Sequence, residues 1–226
     1  MIHTRNIQKY YRRGNHEKQI LQNINIDIEE GEYVIFNGPS GSGKTTLLGI
    51  LGLVDVPSSG ELFFLGSEVT HIPERQRNRI RRDHIGFVFE NIHLIDELTV
   101  YENIELPLLY MSNGRKERRR IVESLMERFR LTHLRKQHPE KFGNLLQQKI
   151  ALARALSCSP DILFADEPTG RLSSSEKEEF MEHLRELNEE GQTIVMATHS
   201  REEARHGQRI ISLYDGHVVS LASDRG

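Results

Sequence analysis

A single cysteine, Cys158, stands in a chain of 226 residues. That excludes an intramolecular disulfide and fits a reducing compartment. The 11 histidines come with no HExxH or CxxC spacing, so scattered surface histidines are expected rather than a metal cluster. No stretch approaches the ~18 apolar residues of a membrane span. The start, MIHTRNIQKYYRRG, lacks the apolar run of a signal peptide. Positive charge is not in excess either, with 30 Lys and Arg against 33 Asp and Glu for a net of −3. No global field argues for nucleic acid as a partner. What is there is 37% hydrophobic and 28% charged, the composition of a soluble globular protein with a real core. The length suits one large domain or two small ones. A soluble, cytosolic protein is expected, any membrane role coming through a partner.

The decisive stretch is GEYVIFNGPSGSGKTTLLGILGL, residues 31–53. Tyr33-Val34-Ile35-Phe36 is a short buried-strand run, and Leu47, Leu48 and Leu51 form an apolar helical face. Between them Gly38, Pro39, Ser40, Gly41, Ser42, Gly43, Lys44 and Thr45 match GxxxxGK[ST], with Thr46 following. Glycines let backbone N–H groups close around phosphates at a helix N-terminus. Lys44 brings a point charge to the β- and γ-phosphates, and the Thr45 hydroxyl is placed to ligate Mg²⁺. A nucleoside triphosphate is expected here.

A second strand, Ile162-Leu163-Phe164-Ala165, runs into Asp166 and Glu167. Beside a phosphate loop, Asp166 suits the Mg²⁺ shell and Glu167 the general base that polarises the attacking water. A third strand, Thr193-Ile194-Val195-Met196-Ala197, leads to Thr198-His199-Ser200. His199 thus falls at a strand's carboxyl end, where ligands gather in open α/β sheets. A γ-phosphate contact is expected for it.

With these motifs in this order, the sequence resembles the ATP-binding subunits of ABC transporters over nearly its whole length. The phosphate loop, LFADEP and ATHS look like that family's Walker A, Walker B and switch-histidine motifs. Pro57-Ser58-Ser59-Gly60-Glu61, Gly86-Phe87-Val88-Phe89, Thr99-Val100-Tyr101-Glu102-Asn103 and Glu167-Pro168-Thr169-Gly170 look like the lipoprotein-release and macrolide-export (LolD and MacB) branch, with the FtsE type nearby. The resemblance implies an α/β fold: a P-loop ATPase domain over 1–226 with a parallel-sheet core and an N-terminal antiparallel β subdomain. A helical subdomain would be inserted at about 90–159. It implies that Tyr11, in QKYY, stacks on adenine, and that Glu90, where the family has glutamine, approaches Mg²⁺. Within the insert, residues 102–131 read as two helices broken at Ser112-Asn113-Gly114. The runs RQRNRIRRD and GRKERRR read as solvated helix faces with interleaved acids.

The family closes ATP between two domains arranged head to tail, one giving its phosphate loop and the other its signature, Leu-Ser-Gly-Gly-Gln, at a helix start. Aligned on Gln147-Gln148-Lys149 and the following Ala153-Arg154-Ala155-Leu156, the signature falls on Phe142, Gly143, Asn144, Leu145 and Leu146. All five depart from it. Gly143 lacks the hydroxyl that would donate to the γ-phosphate, and Leu145 adds bulk where glycine allows close approach. Asn144 with Gln147 three residues on reads as a capping box, which would close the helix start as a structural element. Ser173 stands where the segment crossing to the partner has aspartate.

The resemblance implies an ATPase, with ATP and Mg²⁺, that powers an integral-membrane permease for export or lipoprotein release. It would sit on the cytoplasmic face of the inner membrane and bind no nucleic acid. Its permease would dock near Glu90 to Glu105, at Ile92, Leu94, Ile95 and Leu98, unless these residues are subdomain core. Self-dimerisation with two weakened sites is expected from branch habit. The alternatives are pairing with a second ATPase subunit, or a regulatory module that barely turns ATP over.

Overall fold

The structure, a computed structural model, describes residues 1–14 and 16–223. The chain begins with β1 (Ile2–Arg13), β2 (His16–Ile24), β3 (Asp27–Ile28), β4 (Tyr33–Asn37) and helix α1 (Lys44–Leu51). There follow β5 (Ser59–Phe64), β6 (Ser67–Glu68), α2 (Glu74–His84), β7 (Ile85–Phe89), α3 (Val100–Glu105), α4 (Arg115–Arg128) and α5 (Asn144–Leu156). The last part holds β8 (Ile162–Asp166), α6 (Ser174–Glu189), β9 (Thr193–Thr198), α7 (Arg201–Ala204), β10 (Arg209–Tyr214) and β11 (His217–Ser223). The fold is α/β, divided into two compact units: residues 1–81 with 184–226, and residues 82–183.

The first unit holds an antiparallel sheet in the order β2-β1-β5-β6, with β3 also paired to β1. Strand β1 changes phase part-way. Its buried positions are Ile2 and Thr4, then Ile7 and Lys9. Asn6, at φ 50, sits where the pairing with β5 shifts register. One extra residue in a strand turns every later side chain to the other face. Tyr11 therefore shares the face of Ile7 and Lys9, and Tyr10 does not.

The same unit carries strands in the order β11-β10-β4-β9. Strands β10, β4 and β9 run parallel, and β11 turns back against β10. Every residue of β9, and all of β4 but Asn37, is buried. Strands buried on both faces read as unbroken apolar runs, which is how YVIF and TIVMA were legible. Parallel pairing places the carboxyl ends of β4 and β9 side by side, Asn37 opposite Thr198.

In the second unit β7 and β8 pair in parallel, Phe89 opposite Asp166. Helix α3 starts at Thr99, whose side chain and Glu102 form a capping box. It gives way to a short 3₁₀ helix over Leu106–Tyr110 that carries a proline in its first turn, and α4 opens after Gly114. The break expected at 112–114 is thus between that 3₁₀ helix and α4. On α4, Arg118 pairs with Glu105, Arg119 with Glu123 and Arg120 with Glu117. The last two pairs are exposed and add little stability, Arg118–Glu105 is half-buried, and all three neutralise the face, as the interleaved acids suggested.

The segment before α3 is shaped by Asn103. Its buried amide donates to the Ile95 and Leu98 carbonyls at 2.9 and 3.1 Å, and its Oδ1 accepts from the Ile95 N–H at 2.9 Å. This turns Ile95 outward, 38% exposed, and leaves Ile92 in the core at 7%. Of the two readings, docking contact or subdomain core, Ile92 takes the second. The exposed apolar residues of this unit are Ile95, Leu109 and Tyr110. Among the described residues, no helix is long and apolar enough to cross a membrane.

Candidate functional site

The phosphate loop leaves β4 at Asn37, whose amide donates to the carbonyls of Thr198 and Ser200 at 3.1 and 3.2 Å. The loop is thereby tied to the end of β9 on either side of His199. Its glycines are required. A Cβ on Gly38 would lie 2.1 Å from the Leu213 carbonyl oxygen, and Gly43, at φ 103, opens α1 with only 2.8 Å to a Leu21 methyl. No side chain caps α1, so its first N–H groups face the loop.

Lys44 is 5% exposed. Its ammonium donates to the Gly38 and Pro39 carbonyls at 2.8 and 3.1 Å, folded over its own loop. The Ser42 hydroxyl is buried without a hydrogen-bond partner. An orphaned polar atom costs stability unless a ligand meets it, and its place in this loop suits an anionic oxygen. His199 is exposed at the carboxyl end of β9. Its neighbours are anchored: the Thr198 hydroxyl donates to Glu203 at 2.7 Å, and Ser200 caps α7.

Tyr11 is 47% exposed. Its hydroxyl donates to Asp55 at 2.7 Å, and Thr46, the third residue of α1, also hydrogen-bonds it. The Lys9 ammonium, bound to Asp55 at 2.7 Å, lies 4.9 Å from the ring centroid. Burial and the Asp55 carboxylate push the Tyr11 phenol up. Burial also raises the Asp55 carboxyl, but hydrogen bonds from Lys9, Tyr11 and the Val56 N–H outweigh it and leave it below the usual range. Lys9 and Asp55 thus lock the ring beside the phosphate-loop helix. Sequence reading missed this pair, because forty-six positions separate its members.

In the second unit Asp166 ends β8, and Glu167 turns the chain at φ 47. A left-handed non-glycine residue at a strand's end is a conformation held by its surroundings. Here a turn follows, the Gly170 N–H donating to the Glu167 carbonyl at 3.1 Å. Glu90 packs on Gly170: a Cβ there would lie 2.8 Å from the Glu90 Oε1 and would displace the end of that side chain. The Glu90 N–H donates to the Asp166 carbonyl at 2.9 Å. Glu90, Asp166 and Glu167 are thus brought to one end of the β7–β8 pair. Carboxylates such as these are hard oxygen ligands of the kind that Mg²⁺ takes while keeping several waters.

The signature positions hold a surprise. Gly143 is the N-cap of α5, in extended conformation, and no side chain caps the helix. The expected capping box is absent. Asn144 is already helical, and its amide donates instead to the Arg171 carbonyl at 2.9 Å. Gln147 donates to the Pro139 and Phe142 carbonyls at 3.2 and 2.9 Å. The helix start is open, as an anion site needs. Phe142, Leu145 and Leu146 are half-buried around it. Ser173 forms a cap of its own, its N–H and hydroxyl both donating to Glu176, at 2.8 and 2.7 Å. Arg171 reaches Asn91, the neighbour of Glu90.

A family model described as ABC transporter matches residues 21–170, well over half of the chain. The chain belongs to the ABC transporter ATP-binding family. It is 42% identical to an ABC transporter ATP-binding protein of Methanocaldococcus jannaschii, MJ1508, over 98% of this chain and 99% of that one. It is 37% identical to the Escherichia coli macrolide export ATP-binding/permease protein MacB over 97% of this chain, which spans 34% of MacB. The dimeric cassette MJ0796, caught after hydrolysis with ADP and Pi, superposes with a TM-score of 0.91 at 39% identity, covering 100% of both chains. The macrolide-export branch read from the motifs fits these relatives. The chain is an ABC ATPase, which binds and hydrolyses ATP.

Proposed function

We propose that this ABC ATPase closes on ATP as a self-dimer and passes that motion to an integral-membrane partner for export or release at the inner membrane. The observation that carries the reading is the uncapped start of α5, which keeps the backbone N–H groups and dipole of a signature helix although the signature side chains are gone. Lys44 and the loop N–H groups hold the phosphates, and Thr45, Asp166 and Glu90 are the residues that would supply oxygen donors to Mg²⁺. When bound, Mg²⁺ would neutralise charge building on the phosphate oxygens. Glu167 takes a proton from the attacking water, and His199 hydrogen-bonds the γ-phosphate. The fusion of an ATP-binding domain to a permease in MacB supports a membrane partner, met on the cytoplasmic side.

The mass of the Glu167→Gln variant tests the assembly. With ATP it is expected to double, and with ADP to stay that of one chain. A single-chain mass with ATP would favour the second reading, a pair with another ATPase subunit carrying an intact signature. The missing hydroxyl at Gly143 and the engagement of Ser173 with Glu176 are what favour that alternative.

Tyr11 is the proposed adenine platform. Tyr11→Ala is expected to weaken ATP binding by about 1–3 kcal/mol, the range for a base stacked on an aromatic ring, with turnover at saturation unchanged. Titration with a fluorescent ATP analogue measures it. Affinity unchanged by the substitution would remove Tyr11 from the site.

A further inference from the structure

Gln148 is 1% exposed, in the second turn of α5. Its side-chain amide nitrogen donates to two backbone carbonyls, Phe89 at 3.0 Å and Pro168 at 2.6 Å. Phe89 precedes Glu90, and Pro168 follows Glu167. One amide therefore spans three segments: the approach to the proposed metal carboxylate, the turn beyond the proposed general base, and the helix that starts at the signature. Its own carbonyl, Oε1, is buried with no hydrogen-bond partner. An apolar side chain here would avoid that orphaned acceptor but would deprive the half-buried Phe89 and the buried Pro168 carbonyls of this donor. The position is therefore spent on donation to these two peptides. Gln148 occurs in the run that served to align the signature, yet nothing in the spacing marked it out from Gln147, whose amide goes elsewhere.

We infer that Gln148 is a positioning residue for hydrolysis, coupling the start of α5 to the peptides that carry Glu90 and Glu167. The inference rests on the reading of Glu167 as general base. An anion that draws on the open start of α5 pulls through the Gln148 amide on both carboxylate-bearing segments. Loss of the amide removes neither carboxylate but frees the peptides that carry them to shift.

The test is steady-state ATP hydrolysis by Gln148→Leu and Gln148→Glu, with melting temperature and nucleotide affinity measured alongside. Gln148→Leu is expected to lower kcat by about 10²-fold, the loss that follows a displacement of about 1 Å in a catalytic group. KM and nucleotide affinity should stay within threefold (roughly, since the phosphate loop is unaltered). Gln148→Glu separates positioning from packing. Facing two carbonyls, its carboxylate is repelled, whereas the protonated acid donates to one of them. Its kcat relative to the parent protein should therefore rise as pH falls, and that of Gln148→Leu should not. A folded Gln148→Leu with parental kcat, or a Gln148→Glu whose relative kcat is flat with pH, overturns the inference. If Gln148→Leu does not fold, the pH profile of Gln148→Glu decides alone. Turnover that survives Glu167→Gln would refute the general base and leave the Gln148 result to stand on Glu90.

Discussion

Glu167→Gln is expected to lower steady-state ATP turnover by about 10³-fold, within the range for loss of a general base. The amide matches the carboxylate in shape but has no basic lone pair for the proton of the attacking water. Glu167 owes its position to backbone features the substitution does not touch: its left-handed φ of 47 and the hydrogen bond from the Gly170 N–H to its carbonyl. Its partner groups, Glu90 and Asp166, are held at the same strand ends through their own peptides. Binding should therefore persist, with affinity for ATP within a few-fold of the parent, and nucleotide should stay bound because the step that releases it is blocked. Measuring phosphate release and bound nucleotide on the same sample checks both. Turnover above about a tenth of the parental rate would be too high for loss of a general base and would move that role to another group, Glu90 first.

Gly143→Ser should have the opposite sign, raising turnover by about 10²-fold. Removing one preorganised donor to a developing anion costs on the order of 10²–10³ in rate, and this substitution restores one. The site accepts it. A Cβ at Gly143 meets nothing within 4 Å, and the residue already has the extended conformation of an N-cap, φ −65 and ψ 164. Serine is among the favoured N-cap residues, so the change should also stabilise α5 by a few tenths of a kcal/mol, about the Ser–Gly difference at caps. Rate and melting temperature should rise together. A higher melting temperature without a higher rate would mean that the helix start does not meet phosphate in trans. The self-dimer would then have to yield to pairing with a second ATPase subunit.

The phosphate loop was legible because its chemistry is local. The strand Tyr33–Asn37, the glycines and the helix from Lys44 follow one another without a gap; Gly38 and Gly43 answer contacts that a Cβ would break, and Gly41 a positive φ of 79. The LFAD strand and the ATHS turn were legible for a related reason, a wholly buried parallel strand being an unbroken apolar run. The capping box at Asn144 failed for an equally physical reason. Asn and Gln three apart fit the pattern, but a cap requires the first to lie outside the helix, and the chain turns at Gly143 instead. The Arg171 carbonyl, twenty-seven residues downstream, then claims the Asn144 amide. Ile92 was left between docking face and core for a like reason: the Asn103 amide, folding back on residues 95 and 98, shapes which apolar side chain of that segment faces out.

The altered signature was legible only through the family resemblance; by itself, the order of residues determined a GxxxxGK[ST] loop and an acid pair at a strand's end. Those are matters of residue type at short spacing, where the backbone has little choice. Tertiary structure alone decided that the altered helix start remains open and that Gly170 makes room for Glu90. It also decided that Lys9 and Asp55 lock Tyr11, and that Gln148 joins Phe89 to Pro168. Each of these is a hydrogen bond or close approach between residues far apart in the chain. Which donor meets which acceptor depends on how the segments pack, because a side-chain amide or carboxylate suits many partners and only proximity selects one.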